Sequence, residues 1–144
     1  MAKPESWRLE LDRYPFVTST DTRFRDLDIM GHINNVAMAG IFETARVRFH
    51  RHLGRHPQDQ GVRWLVASVH LEYLQEAHYP DEITMGCAIG HVGNTSWQVV
   101  SAAFQNGECV AICDSVVVTH GPDGRRRVDD YLREAMAANA IREG

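Results

Sequence analysis

The sequence predicts an α+β domain in which one antiparallel sheet wraps around a single long helix. Three observations carry this. An apolar repeat at three- and four-residue steps runs from Val36 to Leu53, the pattern of a helix. Runs rich in Val, Thr, Ile and aromatic residues stand on both sides of it, the pattern of strands. The later runs are joined mostly by short turns, which make neighbouring strands antiparallel.

Tyr14 to Arg25 reads as the first strand, with Phe16, Thr18, Thr20, Thr22 and Phe24 on one face. Asp26 to Asn35 has no clean period, contains Gly31 and ends on two Asn, which favour helix N-caps. In the helix that follows, Met38, Phe42, Ala45, Phe49 and Leu53 form one stripe. Val36, Gly40 and Val47 make a narrower strip on the far side, which predicts an enclosed helix. Gly54 is placed as a stop, with Pro57 beyond it, and Arg55 to Gly61 reads as a polar loop.

Arg63 to Ala77 is the next strand, and Tyr79-Pro80-Asp81 turns into Glu82 to Val92. Gly93-Asn94 turns again into Ser96 to Gln105. Asn106-Gly107 is a hairpin signal, because both central residues of a type I′ turn need positive φ. Glu108 to His120 returns, with Val116-Val117-Val118 reading as buried on both faces. Gly121 to Gly124 is a loop, and Asp129 to Arg142 reads as a short C-terminal helix. Residues 1–144 form one domain, with its core at about 14–128.

Composition narrows the function. With 44% hydrophobic and 24% charged residues, the 144-residue chain can build a core. A net charge of -4 argues against nucleic acid as a partner. No apolar run reaches the roughly 20 residues of a membrane span, and the N-terminus lacks the apolar core of a secretory signal. A cytoplasmic location is expected. Cys87, Cys109 and Cys113 make no disulfide framework, and Cys109 and Cys113 read as buried hydrophobes on one strand face. His50, His52 and His56 form no metal site, since Gly54 interrupts them and no Cys or carboxylate completes the set.

The loop before the helix is where chemistry concentrates. It sets Asp26, Asp28, His32, Asn34 and Asn35 beside a helix N-terminus, whose unpaired N–H groups suit a developing oxyanion. A carboxylate there can act as nucleophile or as general base for water. Gly31 lets the backbone turn tightly against a ligand. Asp26 reads as a cap or a partner of Arg23 or Arg25. Glu43 and Arg46, three apart on the helix, read as an ion pair.

Asp26-Leu27-Asp28-Ile29-Met30-Gly31-His32-Ile33-Asn34-Asn35, followed by Ile41-Phe42-Glu43-Thr44-Ala45-Arg46, closely resembles the signature of the 4-hydroxybenzoyl-CoA thioesterase-like acyl-CoA thioesterases, which have the hotdog fold. The likeness continues through His70 to Leu74, Tyr79 to Ile83 and Gly93 to Ser96, over roughly residues 14–128. It implies that Asp28 is the catalytic carboxylate, that a main-chain N–H at about Asn35 holds the thioester carbonyl, and that Gly31 is the family's turn glycine. His32 and Asn34 are then loop residues near the substrate. Asn94, Thr95 and Ser96 lie in a turn that approaches the pantetheine arm. Arg125-Arg126-Arg127, the chain's only basic run, reads as a cradle for the nucleotide phosphates, since arginine forks suit phosphate.

The expected activity is hydrolysis of an acyl-CoA to a carboxylic acid and free coenzyme A. No metal or separate cofactor is required; coenzyme A is part of the substrate. A non-hydrolytic acyl-thioester binding protein, or an enoyl-thioester hydratase using His32, is the alternative. Unpaired sheet edges predict a homodimer or homotetramer.

Overall fold

The computed structural model describes residues 3–54 and 61–143. Its elements are β1 (Phe16–Thr20), α1 (Asn35–His52), β2 (Arg63–Tyr73), β3 (Ile83–Val92), β4 (Ser96–Gln105), β5 (Glu108–Gly121), β6 (Gly124–Arg125) and α2 (Asp130–Ala138). The sheet is antiparallel throughout, in the order β1-β3-β4-β5-β2, with the two-residue β6 pairing β5. One long helix, a five-strand sheet and a short C-terminal helix match the expected architecture. The expected polar loop from Arg55 and its Pro57 lie almost wholly outside the described residues, as does His56. No helix among the described residues is long and apolar enough to cross a membrane.

The apolar stripe of α1 is the centre of the core. Met38, Phe42, Ala45, Phe49 and Leu53 are buried against Met85, Cys87, Ile89, Val99, Ala103, Cys113 and Val117 of the sheet's inner face. On the outer face, Tyr14 and the partly buried Leu11 and Ile141 cover Ala88, Val100, Ala102, Phe104 and Ile112. At the β4–β5 turn Asn106 has φ +53° and Gly107 φ +82°, as the dipeptide requires.

Several expectations are corrected. The first strand stops at Thr20, and Phe24 to Asp26 form a 3-10 turn that leaves Phe24 exposed. The Tyr79-Pro80-Asp81 turn does not join a hairpin, because β2 lies beside β5 while β3 pairs with β1 and β4. The far strip of α1 is open, with Val36 79% and Val47 50% exposed, because the sheet reaches only one side of the helix. Cys109 and Cys113 lie in separate clusters on opposite sheet faces. A register shift opposite Ala103 and Phe104 inserts a residue into β5 and reverses the alternation. Val116 is only half-buried, whereas Val117 and Val118 are buried. The C-terminal helix ends at Ala138, and the chain continues into a bridge between Ala140 and Ile89.

Candidate functional site

The loop before α1 is a tight hairpin. Leu27 and Ile33 form an antiparallel bridge. Within it the Asp28 N–H donates to the His32 carbonyl at 2.9 Å and the Gly31 N–H to the Asp28 carbonyl at 3.1 Å. Gly31 takes φ +79°, a left-handed conformation that glycine enters without steric cost. The two aspartates then divide their roles. Buried Asp26 accepts the Arg23 backbone N–H at Oδ2 and the Arg23 Nη2–H at Oδ1, both at 3.0 Å, and its carbonyl accepts the Asn34 N–H at 2.7 Å. Asp28 accepts the N–H groups of Met30 at 2.9 Å and His32 at 3.3 Å, both on Oδ1. Its Oδ2 makes no hydrogen bond among the described residues.

Asn34 caps α1: its Oδ1 accepts the Val36 N–H at 2.7 Å and its carbonyl the Met38 N–H at 2.9 Å. The N–H groups of Asn35 and Ala37 keep no partner among the described residues, and they carry the positive end of the helix dipole. A cleft of about 270 Å³ joins these parts, lined by Asp28, His32, Asn35, Met38, Tyr73 and Glu76 among others. The end of β2 and the chain beyond it form its other wall. The Tyr73 hydroxyl donates to the Asn35 carbonyl at 2.9 Å, and the Ile33 N–H to the Ala77 carbonyl at 2.9 Å. Partial burial, then the Cys113 thiol, raises the Tyr73 pKa, so the hydroxyl stays protonated. His32 Nε2 lies 3.1 Å from Glu76 Oε2, and its ring meets His78 edge-on at 5.5 Å. A carboxylate with one unbonded oxygen beside unpaired helix amides suits attack on a polarised carbonyl.

The structure thus brings Asp28, Gly31, His32, Asn34 and Asn35 together. It adds Tyr73 and Glu76, which no local sequence pattern singles out; Tyr73 reads only as a strand residue. The other candidates gather elsewhere. The Val128 N–H donates to the Asn94 carbonyl at 2.9 Å and the Thr119 N–H to the Thr95 carbonyl at 3.0 Å, while Ser96 opens β4. Arg125 pairs with His120 in the sheet, Arg126 with Asp129 at 3.2 Å and Arg127 with Asp130 at 3.0 Å. Arg63 of β2 also pairs with His120. The eleven residues of β2 cover roughly 33 Å, so within one chain this group lies at the opposite end of the sheet from Asp28.

The histidines of α1 go separate ways. His50 sits edge-on to Trp64 and Trp97 and accepts the Trp97 Nε1–H at 3.2 Å. Burial, then the charge of Arg46, lowers its pKa to about 4. His52 packs on Phe16 and contacts Asn139. No group of three potential metal ligands occurs among the described residues.

Residues 22–138 match the family model described as the thioesterase-like superfamily. The chain is similar to the PA5185 protein of Pseudomonas aeruginosa strain PAO1, with 30% identity, 92% of this chain and 97% of that one covered, and a TM-score of 0.80. It is similar to a thioesterase of Thermus thermophilus whose structure holds coenzyme A and Zn, with 28% identity, 88% and 95% coverage and a TM-score of 0.80. A Staphylococcus aureus DHNA-CoA thioesterase, 22% identical with 85% and 88% coverage and a TM-score of 0.75, shares the fold. Among curated proteins, the uncharacterized Bacillus subtilis (strain 168) protein YsmA is 26% identical over 83 residues. That match spans 58% of this chain and 56% of YsmA.

Proposed function

We propose that this chain, which belongs to the thioesterase-like superfamily of hotdog proteins, is a thioester hydrolase whose substrate is an acyl-CoA held between Asp28 and the first turn of α1. The single observation that carries this reading is the Asp28 carboxylate. The loop backbone anchors one of its oxygens and leaves the other unbonded, in the same cleft as Asn35. Asp28 takes a proton from water as the water oxygen bonds to the carbonyl carbon, and the Asn35 N–H receives the oxyanion. Collapse breaks the C–S bond, and the proton passes to the thiolate, giving a carboxylic acid and free coenzyme A. Direct attack by Asp28, with later hydrolysis of the anhydride, gives the same products; the appearance of isotope from labelled water in Asp28 separates the two routes. The reaction calls for no metal or redox group, and the site of action is the cytoplasm.

A homodimer, or a tetramer of two dimers, completes the proposal. β2 is a sheet edge, and Leu65, Val66, Val69 and Tyr73 are exposed along it. Antiparallel pairing of β2 with β2 of a second copy sets the Arg63 end against the partner's Tyr73 end. It carries the Asn94-Thr95-Ser96 turn and Arg125-Arg126-Arg127 of one protomer toward the Asp28 loop of the other. That supports the nucleotide-cradle role of these residues.

The test is a panel of acyl-CoAs followed by free thiol and by enoyl absorbance together. Thiol release supports hydrolysis. Loss of enoyl absorbance without thiol release marks a hydratase, and binding without either change marks a carrier. A stable, active monomer in sedimentation would remove the second-copy part.

A further inference from the structure

The cleft beside Asp28 changes character with depth. Asn35, Tyr73 and Glu76 are exposed and Asp28 and His32 half-buried, so these polar residues form its mouth. Ile33, Met38 and Ala77 line the same cleft, yet they are only 6%, 4% and 3% exposed and belong to the inner core. They form its floor. The Ile33 N–H and the Ala77 carbonyl bond each other at 2.9 Å, so the floor meets an incoming group with apolar side chains.

Met38 is the one floor residue with a long, flexible side chain, the kind that fills an irregular gap. It lies about one turn along α1 from Asn35, a rise of about 4.5 Å. A helical methionine leans back toward the N-terminus, so a carbonyl held at Asn35 has this thioether only a few carbons away. Phe42, the next buried residue of the same stripe, is 2% exposed, and Met38 therefore separates the cleft from the packed core. An apolar cavity of about 150 Å³ holds a benzene ring, roughly six carbons. The cleft measures about 270 Å³ and has to take the thioester and the start of the pantetheine arm as well.

We propose that Met38 is the stop that sets acyl length. The acyl tail points into the cleft and ends against Met38, so the preferred substrates carry short apolar acyl groups of roughly six carbons or fewer. The inference rests on the hydrolase reading above and names the class of acyl group and the residue that selects it. A charged tail would lose its water on this floor without gaining a partner.

The experiment measures kcat/KM for butanoyl-, hexanoyl-, octanoyl-, decanoyl- and dodecanoyl-CoA with the native protein, Met38→Ala and Met38→Phe. The native optimum should fall at butanoyl- or hexanoyl-CoA. Met38→Ala should move it up the series and raise the decanoyl-to-hexanoyl ratio by about tenfold or more, the worth of a methylene or two in an apolar pocket. Met38→Phe should lower the hexanoyl-to-butanoyl ratio. Truncation of a core residue lowers Tm in any case, but a purely structural role would not change these ratios. If Met38→Ala does not fold, Met38→Val carries the same expectation with a smaller shift. S-hexyl- and S-decyl-CoA, thioethers that need no turnover, should show the same pattern in affinity by calorimetry. A native optimum at decanoyl-CoA or longer, or equal losses along the series in Met38→Ala, overturns the proposal and leaves the hydrolase reading intact. If no acyl-CoA is cleaved but the thioether affinities still follow Met38, the hydrolase reading fails and the length stop stands. Absence of both cleavage and Met38-dependent affinity overturns both.

Discussion

The Tyr73 hydroxyl donates to the Asn35 carbonyl at 2.9 Å, so the last residue of β2 is tied to the first residue of α1. The bond joins a sheet edge to the residue that opens α1 and lines the cleft. Tyr73→Phe keeps the ring and removes only the anchor. The cost in stability should be about 1 kcal/mol at most, since the tyrosine is half exposed. kcat should fall several-fold more than that stability change accounts for. Thermal melts and steady-state kinetics on one acyl-CoA check the contrast.

Asp28→Asn should lower turnover at least about a hundredfold, the lower range for a positioned general base. The amide can still accept the Met30 and His32 N–H groups through its oxygen, so the hairpin should persist and Tm should hardly move. Asp26→Asn should do the reverse. It weakens the bonds that buried Asp26 accepts from the backbone and the solvent-exposed side chain of Arg23, costing about 1–2 kcal/mol of stability with a smaller loss of turnover. If Asp28→Asn keeps its hydrolytic rate while Asp26→Asn loses it, the roles within the pair are reversed.

Gly31 tests the hairpin itself. A Cβ there meets nothing within 4 Å, so any penalty comes from φ +79° and not from crowding within the chain. Gly31→Val should cost about 1–2 kcal/mol and damage turnover more than folding. Gly31→Asn should be milder, because asparagine tolerates the left-handed region. A Gly31→Val variant that melts and turns over like the native protein would show that the turn needs no glycine.

Replacing Arg125, Arg126 and Arg127 together by Ala should raise KM for acyl-CoA with little effect on an acyl-pantetheine substrate. The ion pairs to Asp129 and Asp130 are solvent-facing, so stability should change by less than about 1 kcal/mol. Equal changes in KM for both substrates would remove the phosphate role.

His50 gives the fold a pH dependence. Its folded pKa is about 4, below the unfolded value near 6.5. Below pH 6.5 the unfolded chain takes a proton that the folded chain refuses, so stability is complete above that pH and falls as pH drops toward 4. The full span is worth about 3 kcal/mol. Denaturant melts followed by tryptophan fluorescence from pH 7 to 4 should show the loss, and His50→Gln should flatten it.

Local pattern determined much of this protein. The α1 stripe, its Asn34 cap, the Asn106-Gly107 turn and the clustering of Asp28, Gly31, His32, Asn34 and Asn35 all depend on residues a few positions apart, where periodicity and backbone preference act directly. The tertiary structure decided what depends on distant segments meeting. It placed Tyr73 and Glu76 on the far wall of the cleft, sent β2 to the sheet edge beside β5, and set the Arg125 group at the other end of the sheet. It also turned Arg46 inward, away from Glu43: the two are close in sequence, but the sheet covers only one side of α1, and burial follows that side. An inserted residue in β5 reversed the side-chain alternation and separated Cys109 from Cys113, a change that spacing alone does not encode. The physical reason is common to all of these. A helix period or a turn is fixed by local sterics, whereas edge order, bulges and the pairing of a buried charge are set by which long-range packing leaves the least polar surface unsatisfied.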